Sequence, residues 1–284
     1  MKPTFPALPS LPPEEKHVEG KPSLLRDELL WLIGIAIKSH PRGLQVEVGP
    51  SEIGTPCNRK LGHKLNNTEA LRHNVSWRPI IGVAVHQWLA ERFTEANEGL
   101  TFARYLVETR LDCGEINKVP LIGSSDLFDR VTQTVVDWKV VGKTTLDEAR
   151  RHGPSEQYRT QAHLYGRGFT RRGLDVSRVA IMYLPNSDEL TASVYWSEPY
   201  SETIAVAALD RATAIAYAMQ VAGAAEVLPH LPTADDYCSR CPWFFPGATD
   251  LRRSCPGDSS YRAGTDLALS LVSDGPLTKG RSPA

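Results

Sequence analysis

Between residues 102 and 141 the chain carries three consecutive stretches, Phe102–Leu111, Val119–Phe128 and Thr132–Val141, rich in β-branched and aromatic residues and broken by Gly, Asn and Asp. Branched side chains fit a pleated surface and the breakers turn the chain, so the pattern predicts three sequential strands. Helical patterns stand before them at Ser23–Ser39, from near Ser51 through Cys57, Arg59 and Lys60, and at Ile80–Ala96. In the last of these, Ile81, Val85, Trp88 and Leu89 form an apolar side with His86 beside it. A helix at about Ser155–Phe169, strands near Val176–Leu184 and Leu190–Trp196, and a long Ala-rich helix Glu202–Leu228 follow. This order predicts an α/β domain with a mixed sheet.

The flanks read differently. Residues 1–22 hold six prolines and little apolar periodicity, which predicts a mobile leader; residues 258–284 read as a flexible tail of small residues. The domain between them, residues 23–257, ends in an irregular cysteine-rich segment from residue 232. With 41% apolar residues and a formal charge of −1, the chain is neither wholly disordered nor a basic coat for nucleic acid, although a local basic groove remains compatible with that charge. The longest apolar run, Leu29–Ile37, is about half of the roughly 18 residues that span a bilayer. Asp27 and Glu28 before it and the lack of a small-residue cleavage site make it a poor secretion signal, so a soluble, cytoplasmic protein is expected.

The densest chemistry lies in Gly123-Ser-Ser-Asp126 and Val135-Val-Asp137-Trp-Lys139. If these strands form a hairpin turning between Val131 and Thr132, opposed residues sum to 263, which sets Asp126 against Asp137. Strand alternation puts Lys139 on the face of Asp137 and sends Val136, Trp138 and Val140 the other way, into the core. Two facing carboxylates repel unless a cation lies between them, and their hard oxygens suit Mg²⁺ or Mn²⁺. Such an ion polarises a phosphodiester and acidifies water, and a nearby lysine orients that water or neutralises developing charge. The competing reading is a structural Asp137–Lys139 ion pair. The turn Arg130-Val-Thr-Gln133 lacks the favoured hairpin dipeptides, and a one-residue slip would send one acid to the wrong face.

Gln161 and Tyr165 share a helix face, with Gln157 and Tyr158 one turn before; they could hold a nucleotide or DNA end, or form an ordinary half-buried edge. His86 is a metal ligand or a core histidine, and Glu108 a further carboxylate or a solvated edge residue. Arg150-Arg151-His152, Arg159, Arg167 and Arg171-Arg172 would neutralise phosphates or form a solvated helix face. Cys238-x-x-Cys241, Cys255 and the distant Cys57 can together hold a 4Fe–4S cluster or a zinc ion, or be free thiols. Cys113 reads as a buried free thiol. Gly142-Lys143-Thr144 imitates the end of a Walker A loop, but Asp137 stands where its first glycine belongs, so no intrinsic ATP hydrolysis is expected.

Taken in order, His86, Gly123-Ser-Ser-Asp126, Asp137-Trp-Lys139 and Gln161-x-x-x-Tyr165 resemble the PD-(D/E)XK nucleases of the RecB type over roughly residues 50–257. The one-plus-three cysteines resemble those of the CRISPR-associated iron–sulfur exonucleases in that superfamily, as does the setting Ser51-Glu-Ile-Gly-Thr-Pro-Cys57-Asn-Arg59. The longer gap between Cys241 and Cys255, which holds Pro242-Trp-Phe-Phe-Pro246, departs from the family spacing. The resemblance implies a restriction-endonuclease-like core, with His86, Asp126 and Asp137 as ligands of Mg²⁺ or Mn²⁺ and Lys139 as the catalytic lysine. It also implies Gln161 and Tyr165 as DNA-side residues; Glu108 has no counterpart in the resemblance, and Glu108 and Arg159 join the candidate site on their own chemistry as a carboxylate and a phosphate-neutralising arginine. Cys57, Cys238, Cys241 and Cys255 would hold a structural 4Fe–4S cluster, zinc being the alternative. The implied activity is a DNA exonuclease, against a structure-specific or spacer-trimming endonuclease or a non-catalytic DNA-binding module. The implied partners are DNA and proteins of recombination or replication.

Overall fold

The computed structural model describes residues 24–38, 48–71 and 77–258. The Pro-rich leader 1–22, the Ser23 cap, the His40-Pro41 helix stop and residues 259–284 of the tail lie outside them. Five strands form one sheet in the order β1 (Tyr105–Ile116), β2 (Val119–Asp129), β3 (Thr134–Val141), β4 (Arg178–Pro185), β5 (Val194–Pro199). The first three strands and the last pair run antiparallel, while β3 and β4 are parallel. A parallel pair needs a crossover; here it is α5 (Lys143–His152) followed by α6 (Glu156–Arg171). The expected α/β architecture, a mixed central sheet flanked by helices, is therefore present.

Helix α6 forms the centre of the core. Ser155 caps its first turn through Tyr158 N–H, and Ala162, Leu164 and Phe169 are fully buried. Phe169 stacks on Phe128 of β2 at 4.6 Å between ring centroids, and burying each ring contributes about 1.5–3 kcal/mol. Helix α7 (Glu202–Ala222) packs Ala205, Ala208, Leu209, Ala212, Ile215 and Met219 inward. Among the described residues it alone is long and apolar enough to cross a membrane by length and composition, with a third of its most apolar window buried in the fold. The helix expected to reach Leu228 stops at Gly223, whose φ of 90° is open to glycine and strained for other residues. Short α8 (Ala224–Val227) follows it.

The helix sought from Ser51 is two helices, α2 (Pro50–Ile53) and α3 (Asn58–Leu65), because Pro56 interrupts the turn and Cys57 becomes the N-cap of α3. Helix α1 spans Leu24–Lys38. Helix α4 (Arg78–Glu98) buries no residue fully and leaves Trp88 exposed, so its apolar side is a half-buried cover. Strand β1 starts at Tyr105 and runs through Gly114 at a bulge to Ile116. The stretch at Leu190 is a 3₁₀ turn before β5. Val136, Trp138 and Val140 are half-buried, with Trp138 stacked on Phe93 of α4 at 5.5 Å. The deeper face of β3 is the other one, holding Val135 and Asp137.

The β2–β3 hairpin has the expected register. Leu127–Val136, Phe128–Val135 and Asp129–Thr134 are paired, all on the sum of 263. Its turn closes without the favoured dipeptides because Gln133 takes a positive φ of 52° and Asp129 anchors the loop. Asp129 accepts two hydrogen bonds from Arg104 at 2.8 Å each, one from Val131 N–H at 3.0 Å and one from Thr132 Oγ1 at 2.8 Å. Chiefly through Arg104, its pKa is lowered to about 2. A depressed carboxylate contributes stability above its unfolded pKa near 4 and loses it as the pH falls towards 2. Asp129→Asn should therefore cost about 1–2 kcal/mol at pH 7, after allowance for solvent screening. In urea titrations that gap should close between about pH 4 and pH 2; a constant gap would show that the charge is not what Asp129 contributes.

Candidate functional site

The β2–β3 ladder stops at Leu127–Val136, one step before Asp126 and Asp137 would pair. There the Asp126 side chain replaces the next rung: Oδ2 accepts Trp138 N–H at 2.7 Å. Its other oxygen, Oδ1, lies 3.1 Å from His86 Nδ1 on α4. Strand β1 shows a matching disturbance. Its pairing passes from Val107–Leu127 to Thr109–Ser125, and Glu108 between them has φ of 42°, a strained value for a non-glycine residue within a strand. Glu108 Oε2 accepts from Ser124 Oγ at 2.9 Å. The result is a cluster: donor atoms of His86, Glu108 and Asp126 all lie within 4.8 Å of one another. One nitrogen and two carboxylates at this spacing suit a divalent cation.

Behind the cluster stands Asp137, 1% exposed. Its Oδ2 has the Lys139 ammonium at 2.6 Å, yet no hydrogen bond of good direction satisfies that oxygen. Burial, reinforced by the charge of Asp126, raises the pKa of Asp137 above the usual carboxylate range against the pull of Lys139 and His86. For Lys139, burial pulls the pKa down, but Asp137 and Asp126 outweigh it and the ammonium is held above its ordinary range. Likewise His86 is raised: burial opposes protonation, and the Asp126 hydrogen bond and charge overcome it.

Two further contacts fix Lys139, and a third fixes its partner Gln161. Gln161 Oε1 accepts from Nζ at 3.0 Å, Gln161 Nε2 donates to the Tyr165 hydroxyl at 3.3 Å, and the Tyr158 ring lies 4.7 Å from Nζ. Gln161 and Tyr165 are each only 5% exposed, and burial raises the Tyr165 phenol far above its usual range. The helix pair thus stands behind the lysine and aims it. Tyr158 as a cation–π partner and the Trp138 amide were legible only as neighbours of the motif residues.

The basic residues divide differently from expectation. Arg150 pairs with Asp147, Arg151 with Glu148, Arg159 with Glu198, Arg167 with Glu202 and Arg171 with Asp112. Arg159 makes a two-pronged bond to Glu198 at 2.6 and 3.0 Å, shared with buried His163. These arginines are internally paired, which favours the surface ion-pair reading over a free basic groove. In Gly142-Lys143-Thr144, Gly142 is the N-cap of α5 and Lys143 pairs with Asp147 at 3.3 Å.

A second constellation joins the two ends of the domain. Cys57, Cys238, Cys241 and Cys255 line one cavity together with His63, Lys60, Asp236 and Phe244. All four are free thiols. Two backbone bonds and one indole bond stitch the site from both sides: Arg59 N–H donates to Pro232 O at 3.1 Å, Leu71 N–H to Pro242 O at 3.1 Å, and Trp243 Nε1 to Thr68 O at 3.1 Å. The Pro242–Pro246 insertion loops out so that Phe244 bridges to Cys255, returning that cysteine to the others despite the longer gap. Lys60 N–H donates to Cys57 Sγ at 3.4 Å, and Arg59 Nη1 lies 3.9 Å from Cys255 Sγ. Burial pushes Cys241 up to about 11, with Cys57 and Cys255 adding to the shift. The four cysteines thus share the lining of one cavity, with the Lys60 amide and the Arg59 guanidinium close to two of the sulfurs. His63, which the sequence gave no reason to single out, is fully buried here; burial, with Arg59, lowers its pKa to about 4. Cys113 lies apart from this set, buried and free as expected, its thiol pushed up to about 12 by burial.

No family model and no curated protein matches the sequence. Among solved structures, the chain is similar to SSO0001, at 15% identity and a TM-score of 0.47 over 78% of this chain and 95% of that one. It is also similar to an alkaline exonuclease from Laribacter hongkongensis, at 10% identity and a TM-score of 0.45 over 62% and 89%. A phage-related exonuclease from Haemophilus somnus follows at 13% identity and 0.38 over 56% and 77%.

Proposed function

We propose that this chain is a cytoplasmic, metal-dependent DNA exonuclease that hydrolyses phosphodiester bonds from DNA ends. The observation that carries the reading is the convergence of His86, Glu108 and Asp126 within 4.8 Å beside the buried Asp137–Lys139 pair. A Mg²⁺ or Mn²⁺ ion held there would supply Lewis acidity towards a phosphoryl oxygen and a more acidic water. The chain supplies the rest. Asp137 keeps Lys139 charged and close, Gln161 and Tyr158 fix its direction, and its ammonium offsets charge developing on the phosphate. Trp138 N–H and His86 hold Asp126 in one rotamer, so the ligand is set before substrate arrives.

We read the cysteine cavity as the seat of a structural 4Fe–4S cluster held by Cys57, Cys238, Cys241 and Cys255. Bound there, it would tie residue 57 covalently to the 238–255 segment. Purified without chelators, the chain should be brown, with broad absorbance near roughly 400 nm. A colourless protein with stoichiometric zinc would replace the cluster and leave the nuclease reading intact.

The test of the activity uses end-labelled linear DNA and circular single-stranded DNA with Mn²⁺. Linear substrate should be degraded from its ends, the circle should survive, and EDTA should stop the reaction. Cutting of the circle would make the protein an endonuclease. Inertness towards every substrate in Mn²⁺ would overturn the exonuclease reading and favour a non-catalytic module.

A further inference from the structure

His63 presents a problem that the rest of the fold leaves unsolved. It is 0% exposed, and neither ring nitrogen has a hydrogen-bond partner within the protein. A neutral imidazole always carries one N–H, and leaving such a donor unpaired in the interior costs about 1–3 kcal/mol. The ring cannot swing away: Trp243 stacks on it at 5.2 Å with planes 16° apart, and Trp243 is itself anchored by its bond to Thr68 O. It lines the cavity that the four cysteines line, on the helix that Cys57 caps.

We infer that His63 donates a ring N–H hydrogen bond to a sulfur of the group that Cys57, Cys238, Cys241 and Cys255 hold, and that this bond sets the group's reduction potential. The inference rests on the iron–sulfur reading above. Sulfur in such a group is an acceptor whose electron density rises on reduction, so an N–H donor stabilises the reduced state more than the oxidised one and raises the potential. Arg59 acts in the same sense, with Nη1 3.9 Å from Cys255 Sγ and Nε buried without a partner. His63 is therefore a positioning and tuning residue of the cavity, one shell out from the ligands.

The test compares the full chain, purified anaerobically, as wild type, His63→Leu and His63→Gln. Iron and sulfide content should match in all three. In a dye-mediated redox titration His63→Leu should show at least a tenfold lower reduced-to-oxidised ratio at fixed ambient potential, equivalent to about 59 mV for one electron. His63→Gln, which keeps a donor, should recover part of that shift. Equal potentials in wild type and His63→Leu, with iron present in both, overturn the inference while the cluster reading stands. Zinc without iron in the wild type overturns the cluster reading and the tuning role with it. Should His63→Leu fail to fold, reduced wild type labelled with ¹⁵N-histidine should show a nitrogen hyperfine coupling in pulsed electron resonance; its absence also overturns the inference.

Discussion

Lys139→Ala should lower Mn²⁺-dependent degradation of linear DNA by about 10³-fold, the upper range for removing one donor that meets developing charge. The fold should survive it. Breaking a buried ion pair ordinarily costs about 3–5 kcal/mol, but Asp137 already has a raised pKa, and without Lys139 it can take up a proton. A companion variant separates chemistry from stability at Glu108. Because φ there is 42°, Glu108→Gly should abolish cleavage while raising stability by about 1 kcal/mol, since glycine accepts that backbone without strain. Steady-state rates and urea midpoints measure both effects. Lys139→Ala cutting within threefold of wild type would remove the lysine from the chemistry. Glu108→Gly that is active, or clearly less stable, would remove the strained ligand.

The second large effect concerns the cysteines. Cys57→Ser should lose bound iron and lower the melting temperature by on the order of 10 °C. A cross-link closing a long loop is worth roughly 2–5 kcal/mol, and each kcal/mol moves a domain of this size by about 2–4 °C. Cys113→Ala should keep its iron, because Cys113 sits in β1 away from the cavity. Iron analysis and thermal melts of both variants decide the matter. Full iron retention in Cys57→Ser would exclude that residue as a ligand; iron loss in Cys113→Ala would show that the thiols have been misassigned.

Much of the frame was legible because it follows local rules. The β2–β3 register followed from placing the turn between Val131 and Thr132, and Asp129 supplied the turn contacts that the dipeptide preferences lacked. Helix α5 was missed because only Leu146 and Ala149 are buried in it. Its stability comes from charge pairs such as Lys143–Asp147 and Asp147–Arg150, which leave no apolar stripe to read. Glu108 was legible as a further carboxylate or a solvated edge residue, but its positive φ was not, since that belongs to the break in the β1–β2 pairing. Gln161 and Tyr165 showed their shared face, yet only the packing of α6 against β3 reveals that they face the lysine from within. His63 carried no sequence signal; its isolation is a property of the cavity and exists only once residues 57–63 and 238–255 meet.

On the proposed reading, His86, Glu108 and Asp126 bind one divalent ion beside Lys139. Crystals of the full chain soaked in Mn²⁺, with anomalous data collected near the manganese edge, test it most directly. A strong anomalous peak should lie within bonding distance of all three side chains and be lost in Asp126→Asn. A peak elsewhere, or none at saturating Mn²⁺ in a crystal that leaves the cleft open, would contradict it.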